Sequence, residues 1–248
     1  MPTMLITGAT AGIGEAAAEK FAAAGYRLIL TGRRRGRLDA LAARLPAETL
    51  ALCFDVRDPE AVRAALDSLP AEWQQVDLLL NNAGLAAGLS PIHEGLLSDW
   101  EQMIDTNLKG LLYLTRAIAP QMVARRSGHI INIGSIAGKE AYLNGNVYCA
   151  TKHAVDALTR CMRMDLVPYG IKVSNVAPGM VETEFSQVRF KGDTARAGKV
   201  YEGLQPLTAA DIADVIYFVA TCPPHVTIND ILVMPTAQAS VAVVHRQP

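Results

Sequence analysis

A chain of 248 residues that is half hydrophobic and under one-fifth charged carries enough apolar material for a packed core, which excludes intrinsic disorder. Its 23 basic and 24 acidic side chains leave a formal net charge of −1, so overall charge points to neither a nucleic acid nor a membrane surface as partner. No apolar run approaches the roughly 18 residues that span a bilayer, the first strand starts too early for a signal peptide, and the scattered Cys53, Cys149, Cys161 and Cys222 form no C-x-x-C pair. Such thiols read as reduced, in a cytoplasmic protein with no metal site.

From residue 3 onward, strands alternate with helices. Residues 4–7 are a short apolar strand that breaks into a glycine-rich turn. An alanine-rich helix follows over 15–24, with Gly25 where a helix C-terminus needs it. Residues 27–30 and 50–54 are the second and third strands. Asp58-Pro59 opens the next helix, a carboxylate at the N-cap and proline at the first helical position. Residues 76–80 are a fourth, wholly apolar strand, and Ser98-x-x-Glu101 reads as a capping box heading a long helix. Further strands fall at 129–133, 172–176 and 231–233. Strands apolar on both faces and separated by helices specify an α/β fold with a parallel sheet covered on both sides.

The first strand-to-helix junction reads Thr7-Gly8-Ala9-Thr10-Ala11-Gly12-Ile13-Gly14. Glycines there let the backbone turn tightly and approach a pyrophosphate, whose charge the helix N-terminus stabilises. A turn needing glycine only for packing would read the same. The end of the second strand adds chemistry: an NAD site places a carboxylate about 20 residues on, against the ribose 2′-hydroxyl. Here the junction is Thr31-Gly32-Arg33-Arg34-Arg35, with no acid. An arginine fork matches a 2′-phosphate, so the expected cofactor is NADP, held in part by Arg33 and Arg34. Arginines that merely solvate a helix start would explain the cations but not the missing acid. Asp55, with Val56 beside it, is placed to meet the adenine amino group, or else caps a turn. Asn81-Asn82-Ala83-Gly84 follows the fourth strand at the same sheet edge, where ligands of open α/β folds collect.

Tyr148 and Lys152 stand four apart and share one face if the stretch is helical. Most such pairs lie on surfaces, so context carries this one. Ser135 directly follows the fifth strand, and Asn107-Leu108-Lys109-Gly110 puts two poor helix formers inside the long helix. A free phenol is only about 0.1% ionised at neutral pH, and lowering its pKa by roughly three units requires about 4 kcal/mol of preferential phenolate stabilisation. A neighbouring ammonium acts in that direction. His153 reads as a helix-surface histidine and Cys149 as a packed small residue. Trp73 and Trp100 read as core anchors.

Together, residues 7–14 and 81–84, Asn107, Ser135, Tyr148, Lys152 and Pro178-Gly179 resemble the short-chain dehydrogenase/reductases over nearly the whole chain. The resemblance implies a single doubly wound Rossmann-type domain spanning 1–248, with a seven-stranded parallel sheet flanked by helices. It implies Tyr148 as general acid/base, Ser135 orienting the substrate oxygen, Lys152 on the nicotinamide ribose and Asn107 supporting a proton-relay water. The cofactor set it implies is Gly8, Thr10, Ala11, Gly12, Ile13 and Gly14 in the turn, Asn82, Ala83 and Gly84, then Pro178, Gly179, Val181 and Thr183 along the later loop.

Residues 81–85, 100–107, 129–135, 183–193 and 234–247 look like the NADP-dependent 3-hydroxy acid dehydrogenases, which act on serine, L-allo-threonine and simple 3-hydroxy acids. Sulfoacetaldehyde reductases share much of that pattern. Both substrate types carry an anion near the reacting carbon, so Arg189, with Gln238 near it, is expected to bind that anion. Pairing of Arg189 with Asp193 or Glu184 is the bland alternative. Residues 139–144 depart from the relatives and are expected to line the substrate cleft. Two other readings stay open: a carbonyl reductase for neutral ketones or sulfoacetaldehyde, and a non-catalytic NADP sensor. The apolar tail over 235–248 suits burial against a neighbouring subunit, and the resemblance implies a homotetramer.

Overall fold

A computed structural model describes residues 1–247; the last residue of the expected domain and tail, Pro248, lies outside them. The strands are β1 (Thr3–Ile6), β2 (Arg27–Gly32), β3 (Thr49–Cys53), β4 (Leu78–Asn81), β5 (His129–Ile133), β6 (Lys172–Pro178) and β7 (Asp230–Val233). They form one sheet in the order β3-β2-β1-β4-β5-β6-β7, every pair parallel. This is the Rossmann-type α/β sheet expected from the sequence. The order reverses between β1 and β4, and in such sheets the crevice beyond the strand ends at that switch point takes the ligand.

Helices cover both faces, and alternation along each strand divides the core in two. Met4, Ile6, Leu28, Leu30, Leu78 and Leu80 pack against α1 (Gly12–Ala23) and α9 (Ala209–Thr221) through Phe21, Ile212, Ile216 and Val219. Leu5, Ile29, Leu79 and Ile130 pack against α5 (Leu111–Arg125) and α6 (Asn146–Leu166) through Leu114, Ile118, Met122 and Val155. Each such side chain contributes about 1.5–3 kcal/mol on burial. Helices α2 (Arg35–Arg44) and α3 (Pro59–Asp67) connect the first strands, α4 (Leu97–Ile104) precedes α5, and α7 (Phe185–Arg189) and α8 (Thr194–Lys199) lie after β6. Among the described residues no helix is long and apolar enough to cross a membrane.

Local signals were mostly obeyed. Gly25 has φ +82° just beyond α1, and the Asp58 carboxylate accepts from the amides of Glu60 and Ala61 at 2.9 and 3.1 Å. The Ser98 capping box is absent. Asp99 and Trp100 donate their amides to the Leu96 carbonyl, so α4 begins at Leu97 with Leu96 as its N-cap and Ser98 falls inside the first turn. A capping box does form at Thr208 and Asp211, at the head of α9. Nor does the long helix run unbroken: residues Asp105–Gly110 form a π-helical turn between α4 and α5.

His129 opens β5 at a buried position, its Nε2 2.8 Å from the Ser174 hydroxyl and its Nδ1 without a partner. Burial, with Lys172 adding to it, lowers its pKa from 6.5 to about 3. Between those values the unfolded chain holds a proton that the folded chain does not, so stability present above pH 6.5 is lost as pH falls toward 3. The loss is about 1.4 kcal/mol per pH unit, reaching roughly 4–5 kcal/mol. Urea unfolding at pH 7, 5.5 and 4.5 should therefore show a steeper acid decline for the wild type than for His129→Phe. Parallel declines would remove His129 as the cause.

Candidate active site

At the switch point, the β1–α1 turn adopts conformations only glycine takes easily: Gly8 has φ +66° and Gly12 φ +55°. A Cβ on Gly14 would stand 2.4 Å from the Gly8 carbonyl oxygen and 2.5 Å from Asn82 Nδ2, so this third glycine lets helix and turn close on each other. Asn82 Nδ2 donates to the carbonyls of Thr7 at 2.8 Å and Gly8 at 3.2 Å, while the amides of Asn82 and Ala83 each donate to Thr7 Oγ1 at 2.9 Å. The Asn82 side chain thus holds the turn while the residue itself lines the cleft. No side chain caps the N-terminus of α1, which leaves its amides for an anion.

The cleft above this turn encloses about 500 Å³. At one end it is lined by the turn (Gly8, Thr10, Ala11, Gly12, Ile13) and by Arg33, Arg34, Asp55 and Val56; Lys152, Tyr148, Ser135, Arg189 and Gln238 lie at the other, and Asn82, Ala83 and Gly84 also line it. Pro178, Gly179, Val181 and Thr183 form part of its wall, and Asn107 stands just behind Gly84. Arg33 is about half exposed, with Nη1 3.8 Å from Asp55. Arg34 donates from Nε and Nη2 to Thr10 Oγ1 at 3.2 and 3.0 Å and from Nη1 to Glu184 at 2.9 Å. Asp55 is not a free acceptor: Arg57 donates to it from its amide, Nε and Nη2. Burial alone would raise the Asp55 carboxyl; the Arg57 hydrogen bonds and charge outweigh it and hold the group below its ordinary value.

These surroundings fit a dinucleotide with a 2′-phosphate. Arg34 bonds to Thr10 of the turn and Arg33 lines the same cleft, the β2–α2 junction itself contributes no carboxylate, and Thr106, buried in the cleft wall, has a hydroxyl without a partner among the described residues. A buried orphan hydroxyl is costly unless a ligand satisfies it.

The reacting groups sit on α6 and the turn after β5. Lys152 is buried and donates to the Ile133 carbonyl at 2.8 Å. Burial lowers its pKa to about 8, which leaves most of it as ammonium at neutral pH. Burial also raises Tyr148, and Tyr142 adds to this, while the Ser135 hydroxyl and the Arg189 guanidinium act the other way. Ser135 Oγ accepts the Ala137 amide at 3.0 Å, fixing the short turn that carries it. The Asn107 side chain accepts the Leu85 amide and donates to the Leu85 carbonyl, both at 2.8 Å, and to Thr151 Oγ1 at 3.1 Å. Gly84 lies between: a Cβ there would meet Asn107 Oδ1 at 3.3 Å and Lys152 Nζ at 3.6 Å. The π turn, the glycine and the lysine thus meet at one point, and such widened turns concentrate at functional sites.

Phe185 meets Tyr148 edge-on, ring centroids 5.6 Å apart. The Arg189 guanidinium lies 5.4 Å from the centroids of both Tyr148 and Tyr142, donating to the Tyr142 hydroxyl. Among the described residues it pairs with no carboxylate: Asp193 caps α8 and Glu184 turns to Arg34 and Arg37. Of residues 139–144, only Tyr142 lines the cleft; Lys139 points away to pair with Asp156 and Asp230, and Leu143 is exposed. Gln238 is buried, its Oε1 accepting the Met180 amide at 2.9 Å and its Nε2 3.3 Å from the Ser240 carbonyl.

Comparison with known proteins agrees in kind. Residues 2–194 match the family model described as short chain dehydrogenase. The chain is 50% identical over 245 residues to NADP-dependent 3-hydroxy acid dehydrogenase YdfG of Salmonella typhi, covering 98% of this chain and 99% of that one. It is 46% identical over 239 residues to Sulfoacetaldehyde reductase 2 of Chromohalobacter salexigens, with 95% of each covered. Among solved structures, the closed form of serine dehydrogenase complexed with NADP+ superposes with a TM-score of 0.93 at 47% identity, covering 99% of this chain and 100% of that one.

Proposed function

The chain belongs to the short-chain dehydrogenase family, and from that premise we propose that it is an NADP-dependent oxidoreductase interconverting 3-hydroxy acids of the serine type and their 3-oxo acids. The observation that carries the substrate reading is Arg189, a guanidinium that has no carboxylate partner among the described residues and is held beside the Tyr148 ring at the cleft. A substrate carboxylate there sits near its own reacting hydroxyl, as a 3-hydroxy acid requires, and a guanidinium fork matches it. Gln238 lines the same cleft.

Bound NADP+ supplies the hydride acceptor and a positive ring. The protein's part is proton handling and orientation. Ser135 holds the substrate oxygen, and Tyr148 takes the hydroxyl proton during oxidation or returns it during reduction. Burial favours the neutral phenol, suited to donating a proton to a forming alkoxide. The positive charges around the site favour the phenolate needed for oxidation. Lys152 orients the nicotinamide ribose, and Asn107, held by Leu85 and Thr151 close behind Gly84, supports the proton relay. Positioning of this kind contributes as much as proton transfer does.

A second reading, favoured by the 46% identity to a sulfoacetaldehyde reductase, places a sulfonate on Arg189. The test is direct: purified protein with NADP+ or NAD+, followed at the reduced-nicotinamide band, is offered L-serine, L-allo-threonine, 3-hydroxypropionate, isethionate and a neutral secondary alcohol. Turnover of the acids with NADP+ supports the proposal. Isethionate alone would transfer it to the sulfonate, and the neutral alcohol alone would overturn anion recognition.

The same reading includes a cytoplasmic address, in keeping with four unpaired cysteines, and a homotetramer. Two separate groups of exposed apolar side chains support the latter: Leu96, Leu97, Ile104 and Leu112 around α4 and α5, and Phe218, Leu232 and Val243 near β7. Sedimentation at the monomer mass would remove it.

A further inference from the structure

Glu184 is used by none of the chemistry above, yet its side chain joins the two ends of the cleft. It stands at the N-cap of α7, next to Phe185, which packs on Tyr148, and at the opposite end of that short helix from Arg189. Its Oε2 accepts from Arg34 Nη1 at 2.9 Å and its Oε1 from Arg37 Nη1 at 2.7 Å. Arg34 in turn spends Nε and Nη2 on Thr10 in the glycine turn. A continuous chain of polar contacts therefore runs from the glycine turn through Arg34 to Glu184 and the segment that presents Phe185 and Arg189. Other contacts of that segment include the amide of Gly88 to the Arg189 carbonyl, Arg189 Nε to the Gly88 carbonyl at 3.4 Å, Arg189 Nη2 to the Tyr142 hydroxyl, Ser186 to Tyr201, and Lys191 to Asp99.

We propose that Glu184 is a positioning residue: through Arg34 and Arg37 it latches the α7 segment to the arginine cluster of the cofactor end, and so sets Phe185 and Arg189 over the reacting tyrosine. The idea rests on the proposed function for what Arg189 binds, but the latch itself does not need it. The same carboxylate sits beside cations assigned to the 2′-phosphate, so its charge opposes that phosphate while its ion pairs hold the loop. Removing the charge then has opposite consequences at the two ends of the cleft. Both ion pairs are half exposed, and pairs of that kind hold weakly, so the expected effects are a few-fold.

The test compares wild type, Glu184→Gln, Arg37→Gln and the double variant, loaded with NADP+ for proteolysis and turnover and freed of it for calorimetry. Arg37 lies outside the cleft lining, which makes it the cleaner partner. Three quantities are read: the rate of tryptic cleavage after Arg189 and Lys191, the NADP+ Kd by calorimetry, and kcat and KM for the best hydroxy acid. Each single variant should be cleaved about 3- to 5-fold faster and show KM raised by a similar factor with kcat within about twofold. Glu184→Gln should bind NADP+ as tightly as wild type or more tightly. The double variant should be no worse than Glu184→Gln. Unchanged cleavage and KM in Glu184→Gln would overturn the latch, as would a weakened NADP+ affinity there or a double variant equal to the product of the singles. Because cleavage and Kd are read without turnover, loss of the latch is distinguishable from a wrong substrate assignment.

Discussion

Tyr148→Phe is expected to lower kcat by about 10²–10⁴-fold, the range a positioned general acid/base contributes, with little change in melting temperature. Only the hydroxyl is removed. The ring remains in the apolar cluster of Leu85, Ala86, Met103 and Cys149 and keeps its edge-on contact with Phe185, so packing survives. The pH profile gives a second handle. Burial, with Tyr142 beside it, raises the phenol, and Ser135 and Arg189 counter this; oxidation by the wild type should therefore rise with pH as the phenolate is populated. The variant's residual rate should lose that limb. Steady-state oxidation between pH 6.5 and 10, with a thermal melt of each protein, decides it. A variant retaining more than about a tenth of wild-type kcat would place proton transfer on another group.

How much of this was legible follows from the range of each interaction. Strand β5, the Gly25 helix end and the Asp58-Pro59 start could be read because a few adjacent residues determine them. Strand alternation on two helix-covered faces likewise shows in the letters, because most central positions are apolar, with Asn132, Ser174 and Asn175 as buried exceptions. The site's outline was legible for a related reason: glycine turn, β4 end, Ser135 and the Tyr148–Lys152 pair all lie at strand ends or on one helix face. Long-range partners were not. The Asn107-to-Gly110 stretch looked ill suited to a helix, but the structure's π turn is accompanied by the Asn107 bonds to Leu85 and Thr151, which no local rule supplies. The Glu184 partners lie 150 and 147 residues away. Arg57, which engages Asp55, is only two residues on, and the Thr208–Asp211 box is equally local, with an aspartate where glutamate is usual. Thr106 carries no local signal either; its place in the site shows only in a buried hydroxyl that has no partner among the described residues.

Arg189→Met should raise KM for 3-hydroxy acids by about 10- to 100-fold, the worth of a hydrogen-bonded charge, while KM for a neutral alcohol stays within about threefold. Methionine keeps an unbranched apolar stem of similar reach, so packing between Tyr142 and Tyr148 is largely replaced while the fork is lost. The guanidinium has a second effect that does not depend on the substrate's charge. Lying over the Tyr148 ring, it lowers that phenol's pKa, so its removal should shift the pH–rate profile toward alkali for acids and neutral alcohols alike. The two effects separate by readout: the KM change follows the substrate's charge, and the profile shift does not. Arg189→Lys sharpens the division, since it retains a positive charge but loses the planar fork. It should recover part of the profile shift and little of the acid affinity. An equal KM change for charged and neutral substrates would leave Arg189 as an organiser of the tyrosine and send the search for the carboxylate's partner to Gln238 and Tyr142.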